Sequence, residues 1–93
     1  MSVEVRVPTV LQRLTGGTRT IEAHGSTVRE VLDDIEQQYP GLQQHIVTDS
    51  GEILRFVNIY LNDEDIRFLQ KLETAVSDGD HLAILPALAG GSE

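Results

Sequence analysis

Three features of the sequence predict an α+β roll, in which one main amphipathic helix packs on a mixed sheet. Segments at both ends of the chain and in its second half are rich in apolar β-formers, and the first alternates with the period of two that half-buried strands show. Between them, one stretch repeats apolar residues at helical spacing. The resulting order is strand, strand, helix, strand, short strand, strand. A single helix across one face of such a sheet makes a two-layer domain.

Two N-terminal strands are predicted to pair as an antiparallel hairpin. The first spans residues 3–7, where three valines alternate with charged residues, and Pro8 ends it because proline cannot donate to a sheet ladder. The second is expected at residues 18–23, after the glycine pair at 16–17 gives the backbone freedom for a turn. The connection over residues 8–14 is expected to be irregular, with three apolar side chains tucked under the sheet: Val10, Leu11 and Leu14.

The amphipathic helix is the most strongly patterned element. Thr27 and Glu30 form a capping box, in which the threonine hydroxyl accepts from the N–H three residues on and the glutamate reaches back. Polar residues cover one face of the helix, and Pro40-Gly41 ends it. The opposite face carries apolar residues at helical spacing: Val28, Val31, Leu32, Ile35 and Tyr39.

The second half of the chain is predicted to add three strands. They are expected at residues 56–61, briefly at 66–68, and at 81–85, where Pro86 closes the last one. Short helical turns are expected within residues 41–54 and around Leu72. We therefore predict one domain over residues 1–86 and a flexible tail over residues 87–93.

Composition and charge disfavour several function classes. The 93 residues suffice for one small domain, and 7 basic against 15 acidic residues give a net charge of −8. Such a chain repels phosphate backbones and anionic lipids, which disfavours nucleic-acid and membrane-surface roles and favours basic partner proteins. The sequence shows neither a signal-peptide pattern nor an apolar run near the roughly 20 residues of a membrane span. A cytoplasmic monomer is expected.

The sequence contains no motif that is typical of a catalytic or metal site. There is no cysteine, which excludes thiol nucleophiles and thiolate metal sites. A calcium loop beginning at Asp63 needs glycine at its sixth position, which is Phe68, so the acidic run at 63–65 is interpreted as a solvated turn. No phosphate-cradling glycine motif or nucleophile elbow occurs. The histidines lie too far apart for a local metal motif: His24, His45 and His81. Neither enzymatic activity nor a bound metal or cofactor is predicted.

The C-terminal residues are the remaining candidate for function. Gly90 and Gly91 follow the final predicted strand after only a few residues. From Ala87 to Gly91 an extended chain reaches about 17 Å. Glycines are the residues that a narrow tunnel in a partner protein admits. Composition alone is equally compatible with a frayed terminus.

These features together resemble the ubiquitin-like sulfur carriers of the ThiS/MoaD family over nearly the whole chain. The segment FVNIYLNDEDIRF at residues 56–68 is similar to the central segment of the actinobacterial carriers for cysteine biosynthesis. The turn Asp78-Gly79-Asp80 and the residues up to Gly91 extend that similarity. The resemblance implies a β-grasp, or ubiquitin-like, fold.

The resemblance also implies a carrier that other enzymes act on. The α-carboxylate of Gly91, in the diglycine Gly90-Gly91, would bear the sulfur as a thiocarboxylate. An E1-like partner would adenylate it with its own ATP and Mg²⁺, and a sulfur donor would then attack. The implied acceptor is a PLP-dependent cysteine synthase; a thiazole-synthase-like enzyme, a thiosugar synthase or the molybdopterin pathway are the alternatives.

This sequence departs from the family pattern after Gly91, where Ser92 and Glu93 follow. With Ser92 attached, the Gly91 carbonyl belongs to an amide and cannot be adenylated as a free acid. A C-terminal peptidase is expected to remove the extension if it is native to the chain.

Partner contacts are expected on the sheet and along the tail. The candidate docking residues are Phe56, Ile59, Phe68, Arg67, Ala87, Leu88 and Ala89. The large apolar residues among them are equally compatible with the core. Two other classes of function stay open: a ubiquitin-like modifier joined to lysines through Gly91, and a binding module with an inert tail.

Overall fold

A mixed five-stranded sheet and one α-helix form the part of the chain that the computed structural model describes, residues 2–86. The helix, α1, spans Val28–Gln38. The strands are β1 Ser2–Arg6, β2 Thr20–His24, β3 Val57–Leu61, β4 Glu64–Asp65 and β5 His81–Pro86. Short 3-10 helices lie at Thr9–Thr15, Gln43–His45, Ile66–Phe68 and Lys71–Glu73. The predicted α+β roll is confirmed.

The last strand in the sequence lies in the middle of the sheet, whose order is β2-β1-β5-β3-β4. On one side β5 pairs parallel with β1, with Val5 opposite Leu82. On the other side it pairs antiparallel with β3. The first and last strands are thereby fixed by long-range pairing, and the described part of the chain ends on a central strand.

The N-terminal hairpin is confirmed, but its connection differs from the prediction. β1 and β2 pair antiparallel from Ser2 opposite His24 to Arg6 opposite Thr20. The connection is a 3-10 helix rather than an irregular segment, with the buried Thr15 hydroxyl close to two carbonyl oxygens of the turn. The helical turn directs Leu11 into the core and leaves Val10 61% exposed, so the prediction that Val10 is buried is wrong.

The predicted capping box at the start of α1 is confirmed with one difference. Thr27 Oγ1 accepts a hydrogen bond from the Glu30 N–H at 3.2 Å. The Glu30 carboxylate accepts from the N–H of Ser26, one residue before the cap, at 2.8 Å. The helix ends one residue before Tyr39, whose N–H donates to the Ile35 carbonyl at 2.8 Å.

Two boundaries in the second half of the chain correct the prediction. The brief strand is β4, and residues 66–68 form a 3-10 turn because Asp65 Oδ1 accepts from the Arg67 N–H at 2.9 Å. Ile66 is thereby turned into the core. Pro86 does not end β5 but belongs to it, opposite Val57. The pairing of β5 with β1 stops at Ala83. No residue of β1 therefore lies opposite Pro86, where the missing N–H of proline would leave a hydrogen bond unmade.

One hydrophobic core fills the space between α1 and the sheet. Alternate residues of three strands are buried, in keeping with the side-chain period of a strand: Val3 and Val5 in β1, Ile21 and Ala23 in β2, and Val57 and Ile59 in β3. The helix contributes four buried residues: Val28, Val31, Leu32 and Ile35. Within residues 2–86, no helix combines the length and the apolar character that crossing a membrane requires.

Candidate functional site

The candidate site is the end of the sheet at which β5 finishes. Arg6, the last residue of β1, lies opposite Ala83, and beyond that point β5 is paired only with β3. Leu85 lies opposite Asn58, and Pro86 lies opposite Val57. The sulfur-carrying candidates lie outside the described residues, as do the rest of the tail's predicted sites: Ala87, Leu88, Ala89, Gly90, Gly91, Ser92 and Glu93.

An open groove of about 790 Å³ lies beside the end of β5. Its walls come from the end of β1, the connection that follows, the start of β2 and Leu85 of β5. The Val7 N–H donates to the Arg19 carbonyl at 2.7 Å and closes the hairpin loop on this side. The groove is lined in part by two guanidinium groups and two exposed apolar side chains: Arg6, Arg19, Val10 and Leu85.

The predicted docking residues in the described part of the chain divide into two groups. Phe56 is 68% exposed and Phe68 is 84% exposed, which leaves both free for contact with a partner. Arg67 is exposed, and its Nη2 donates to the Val57 carbonyl at 2.7 Å, beside the start of β3. Ile59 is only 1% exposed and belongs to the core, so its prediction as a docking residue is wrong.

The Asp78-Gly79-Asp80 turn has a structural role at the opposite end of β5. Asp78 Oδ1 accepts from the Ser2 N–H at 2.9 Å, and the Gly79 N–H donates to the Ser2 carbonyl at 2.8 Å. Asp80 Oδ2 accepts from the Ser77 N–H at 2.7 Å. Gly79 has a φ of 88°, which favours glycine. The turn therefore sets the start of β5 against the start of β1.

The titratable groups of the described residues do not form a metal site. No group of three or more histidine and acidic side chains is placed to hold a metal ion within residues 2–86. His81 Nδ1 lies 3.0 Å from Glu4 Oε1, and both side chains are exposed. The pKa of Glu36 is lowered, first by the hydrogen bond from the Gly41 N–H and then by that from the Gln43 N–H. These contacts fix the turn after α1, away from the end of β5.

Sequence reasoning missed the residues that line the groove. The sequence pattern predicts Arg6 and Leu85 only as strand positions, and Arg19 only as part of the second strand at residues 18–23. A signal for them exists in the sequence, since no acidic residue occurs between Glu4 and Glu22. This signal indicates a site only once the strand order is known, because that order brings the segment beside the end of β5.

The match to a known family decides the assignment. The model of the ThiS family matches residues 5–91, which include most of the described sheet and the diglycine. The chain belongs to the ThiS family. This membership confirms the β-grasp prediction for the fold.

Individual relatives of this ThiS family member agree with that assignment. The sulfur carrier protein CysO of Mycobacterium tuberculosis is 47% identical over 93 residues, which cover 98% of this chain and 100% of that protein. A chain from the crystal structure of the Amycolatopsis orientalis BexX/CysO complex superposes with a TM-score of 0.90 at 48% identity, over 96% of this chain and 99% of that one. Small archaeal modifier protein 3 of Haloferax volcanii is 36% identical over 66 residues, 71% of each chain. The predicted class of function, a sulfur carrier protein, is confirmed.

Proposed function

We propose that this carrier bears sulfur as a thiocarboxylate on the α-carboxyl group of Gly91. The observation that carries the proposal is the near full-length similarity to a sulfur carrier protein, together with a diglycine five residues beyond the end of a central strand. Gly91 has no side chain, so its carbonyl carbon is open to a nucleophile.

The reaction requires activation of the carboxylate, because a carboxylate is a poor electrophile. Removal of the residues after Gly91 exposes its carboxyl group. An E1-like enzyme transfers AMP from ATP to that carboxylate and releases pyrophosphate; ATP and Mg²⁺ are bound by this enzyme and not by the carrier. A sulfide-level donor then attacks the acyl carbon, the C–O bond to AMP breaks, and the thiocarboxylate forms. We place this reaction in the cytoplasm.

The proposed acceptor is a PLP-dependent cysteine synthase acting on an activated serine. The similarity to CysO supports this choice over the thiazole, thiosugar and molybdopterin acceptors. The carrier contributes the sulfur on its C-terminal residue and a folded domain that docks, while the acceptor supplies the chemistry. Phe56 and Phe68 are the exposed aromatic side chains available for docking.

Reconstitution tests this proposal. A chain ending at Gly91 is incubated with the E1-like enzyme of the same cells, ATP, Mg²⁺ and sulfide, and its intact mass is measured. We expect a gain equal to the mass difference between sulfur and oxygen, and no gain for the chain that retains Ser92-Glu93 or when ATP is omitted. An unchanged mass for the Gly91-ended chain, with an enzyme that activates another carrier, would contradict the proposal.

A protein modifier is the second candidate, and the similarity to Small archaeal modifier protein 3 favours it. In that case Gly91 would be joined to lysine side chains of other proteins. The two functions differ in lysate: a ladder of high-mass conjugates that disappears when Gly90 and Gly91 are deleted indicates a modifier. A carrier produces the thiocarboxylate without the ladder.

A further inference from the structure

The distribution of charge in this chain is uneven in sequence. Four of the segments that contain no acidic residue are 5–21, 53–62, 66–72 and 81–92. They contain six of the seven basic residues, namely Lys71 and five arginines: Arg6, Arg13, Arg19, Arg55 and Arg67. The fold decides whether these separate segments share one surface.

The strand register brings the five arginines to the end of the sheet where β5 finishes. Arg6 ends β1, and Arg13 lies in the 3-10 helix that connects β1 to β2. Arg19 precedes β2, and its carbonyl accepts from Val7. Arg55 lies two residues before Val57, the partner of Pro86.

The fifth arginine is tied to the same place by a direct contact. Arg67 Nη2 donates to the Val57 carbonyl at 2.7 Å. Because Val57 pairs with Pro86, this guanidinium lies beside the start of β3 and the end of β5. We call these five arginines, together with three exposed apolar residues nearby, the tail-exit surface: Arg6, Arg13, Arg19, Arg55, Arg67, Val10, Phe56 and Leu85.

The arginines of the tail-exit surface have no carboxylate partners among residues 2–86. The ion pairs in this part of the chain join Arg29 to Glu73 and His81 to Glu4. Neither pair involves the tail-exit surface. All five arginines are exposed, and Val10, Phe56 and Leu85 expose 61%, 68% and 41% of their surface. Apolar side chains framed by unpaired guanidinium groups are typical of a surface that binds protein.

The overall charge of −8 does not cancel this positive surface at physiological salt. Acidic residues gather at the other end of β5, where Asp78 and Asp80 precede His81. From His81 to Pro86 the strand spans about 17 Å at the usual rise per residue. The Debye length at physiological ionic strength is about 8 Å. A partner that meets the end of β5 is therefore screened from Asp78 and Asp80.

We propose that the tail-exit surface docks on an acidic rim that surrounds an apolar depression in the protein that receives the tail. Carboxylates of that rim pair with the guanidinium groups, and Val10, Phe56 and Leu85 enter the depression. The inference rests on the proposed function, because a carrier must present its C-terminus to an enzyme. It adds the charge of the receiving surface. That surface is acidic, whereas the net charge of the carrier favours a basic partner.

Binding to purified BexX of Amycolatopsis orientalis tests the docking surface, since a 48% identical chain is present in its complex. The dissociation constant is measured by calorimetry for the chain ending at Gly91 and for Arg19→Glu and Arg55→Glu. We expect each charge reversal to weaken binding about tenfold or more, and added NaCl to weaken binding of the unmodified chain. Circular dichroism verifies that each variant is folded.

Lys71→Glu is the matched control, because it changes the net charge by the same amount at an exposed residue outside the tail-exit surface. We expect it to bind within about twofold of the unmodified chain. Unchanged affinity of both arginine variants, or an equal loss in Lys71→Glu, would overturn the proposal. Retention of the carrier on a nucleic-acid column with no affinity for BexX would also overturn it, since the arginines would then serve a polyanion.

The outcome is separable from the test of the proposed function. Thiocarboxylate formation by the E1-like enzyme is measured on the same variants at saturating enzyme. If the arginine variants acquire sulfur and bind BexX normally, only the docking inference fails. If the unmodified chain ending at Gly91 acquires no sulfur, the proposed function fails.

Discussion

Gly25 lies between β2 and α1, at a point where the backbone comes too close to the helix for a side chain. A Cβ atom there would lie 2.8 Å from the Val31 backbone nitrogen and 2.8 Å from Glu30 Cβ. Neither atom is the end of a flexible side chain, so the helix itself would have to shift. We expect Gly25→Ala to lower the free energy of unfolding by about 1–3 kcal/mol, measured by urea denaturation.

The neighbouring Ser26 provides the control for this substitution. Ser26 contributes backbone hydrogen bonds to the capping region, and its side chain is exposed. Ser26→Ala is expected to change the free energy of unfolding by less than about 0.5 kcal/mol. A Gly25→Ala variant as stable as Ser26→Ala would contradict the close approach.

At the same scale, the sequence could not separate core residues from docking residues. Phe56, Ile59 and Phe68 are all large and apolar in one segment, and the pattern allowed either role. Pairing in β3 settles Ile59, which faces the core opposite Ile84. Phe56 precedes the strand and Phe68 ends a 3-10 turn, so neither side chain obeys the alternation of a strand.

The turn after α1 depends on one carboxylate. Glu36 accepts from the N–H groups of Gly41 and Gln43, each at 2.9 Å, and these bonds lower its pKa below the ordinary 4.5. The stabilisation is therefore complete above pH 4.5 and is lost as the pH falls through the lowered pKa of the folded state. We expect Glu36→Gln to lower the free energy of unfolding at pH 7 and to lose this effect in acid.

Urea denaturation of both proteins from pH 7 down through the acid range measures this difference. Glu64→Gln removes a carboxylate from an exposed side chain and serves as the control. A constant difference between Glu36→Gln and the unmodified chain at every pH would show that the carboxylate does not act through its charge.

Elements were predictable where local and long-range signals agree. The helix has a cap, a periodic apolar face and a Pro-Gly end, so its span was close to the structure. The prediction of a strand at residues 66–68 is wrong although their composition suits a strand. The side chain of Asp65 accepts a local backbone hydrogen bond that turns the chain. The prediction that Pro86 closes β5 is wrong because a strand can include proline where the neighbouring strand has already ended. Where β1 ends beside β5 is a property of the sheet.

On the scale of the whole molecule, composition indicated the net charge but not its arrangement. The value of −8 favours basic partners, yet the described sheet gathers five arginines at the end of β5. Segments 5–21 and 53–62 are far apart in the chain and meet only through the strand order. The prediction of sulfur chemistry at Gly91 needs no knowledge of the sheet, because the resemblance that implies it rests on the sequence of residues 56–68, the turn at 78–80 and the diglycine.

The central claim is that Gly91 becomes the C-terminal residue and carries sulfur. Intact mass spectrometry of the protein, isolated untagged from its own cells, tests it most directly. We expect a species that ends at Gly91, with a fraction heavier by the mass difference between sulfur and oxygen. A single species that retains Ser92-Glu93, with no sulfur-bearing form even under sulfur demand, would contradict it.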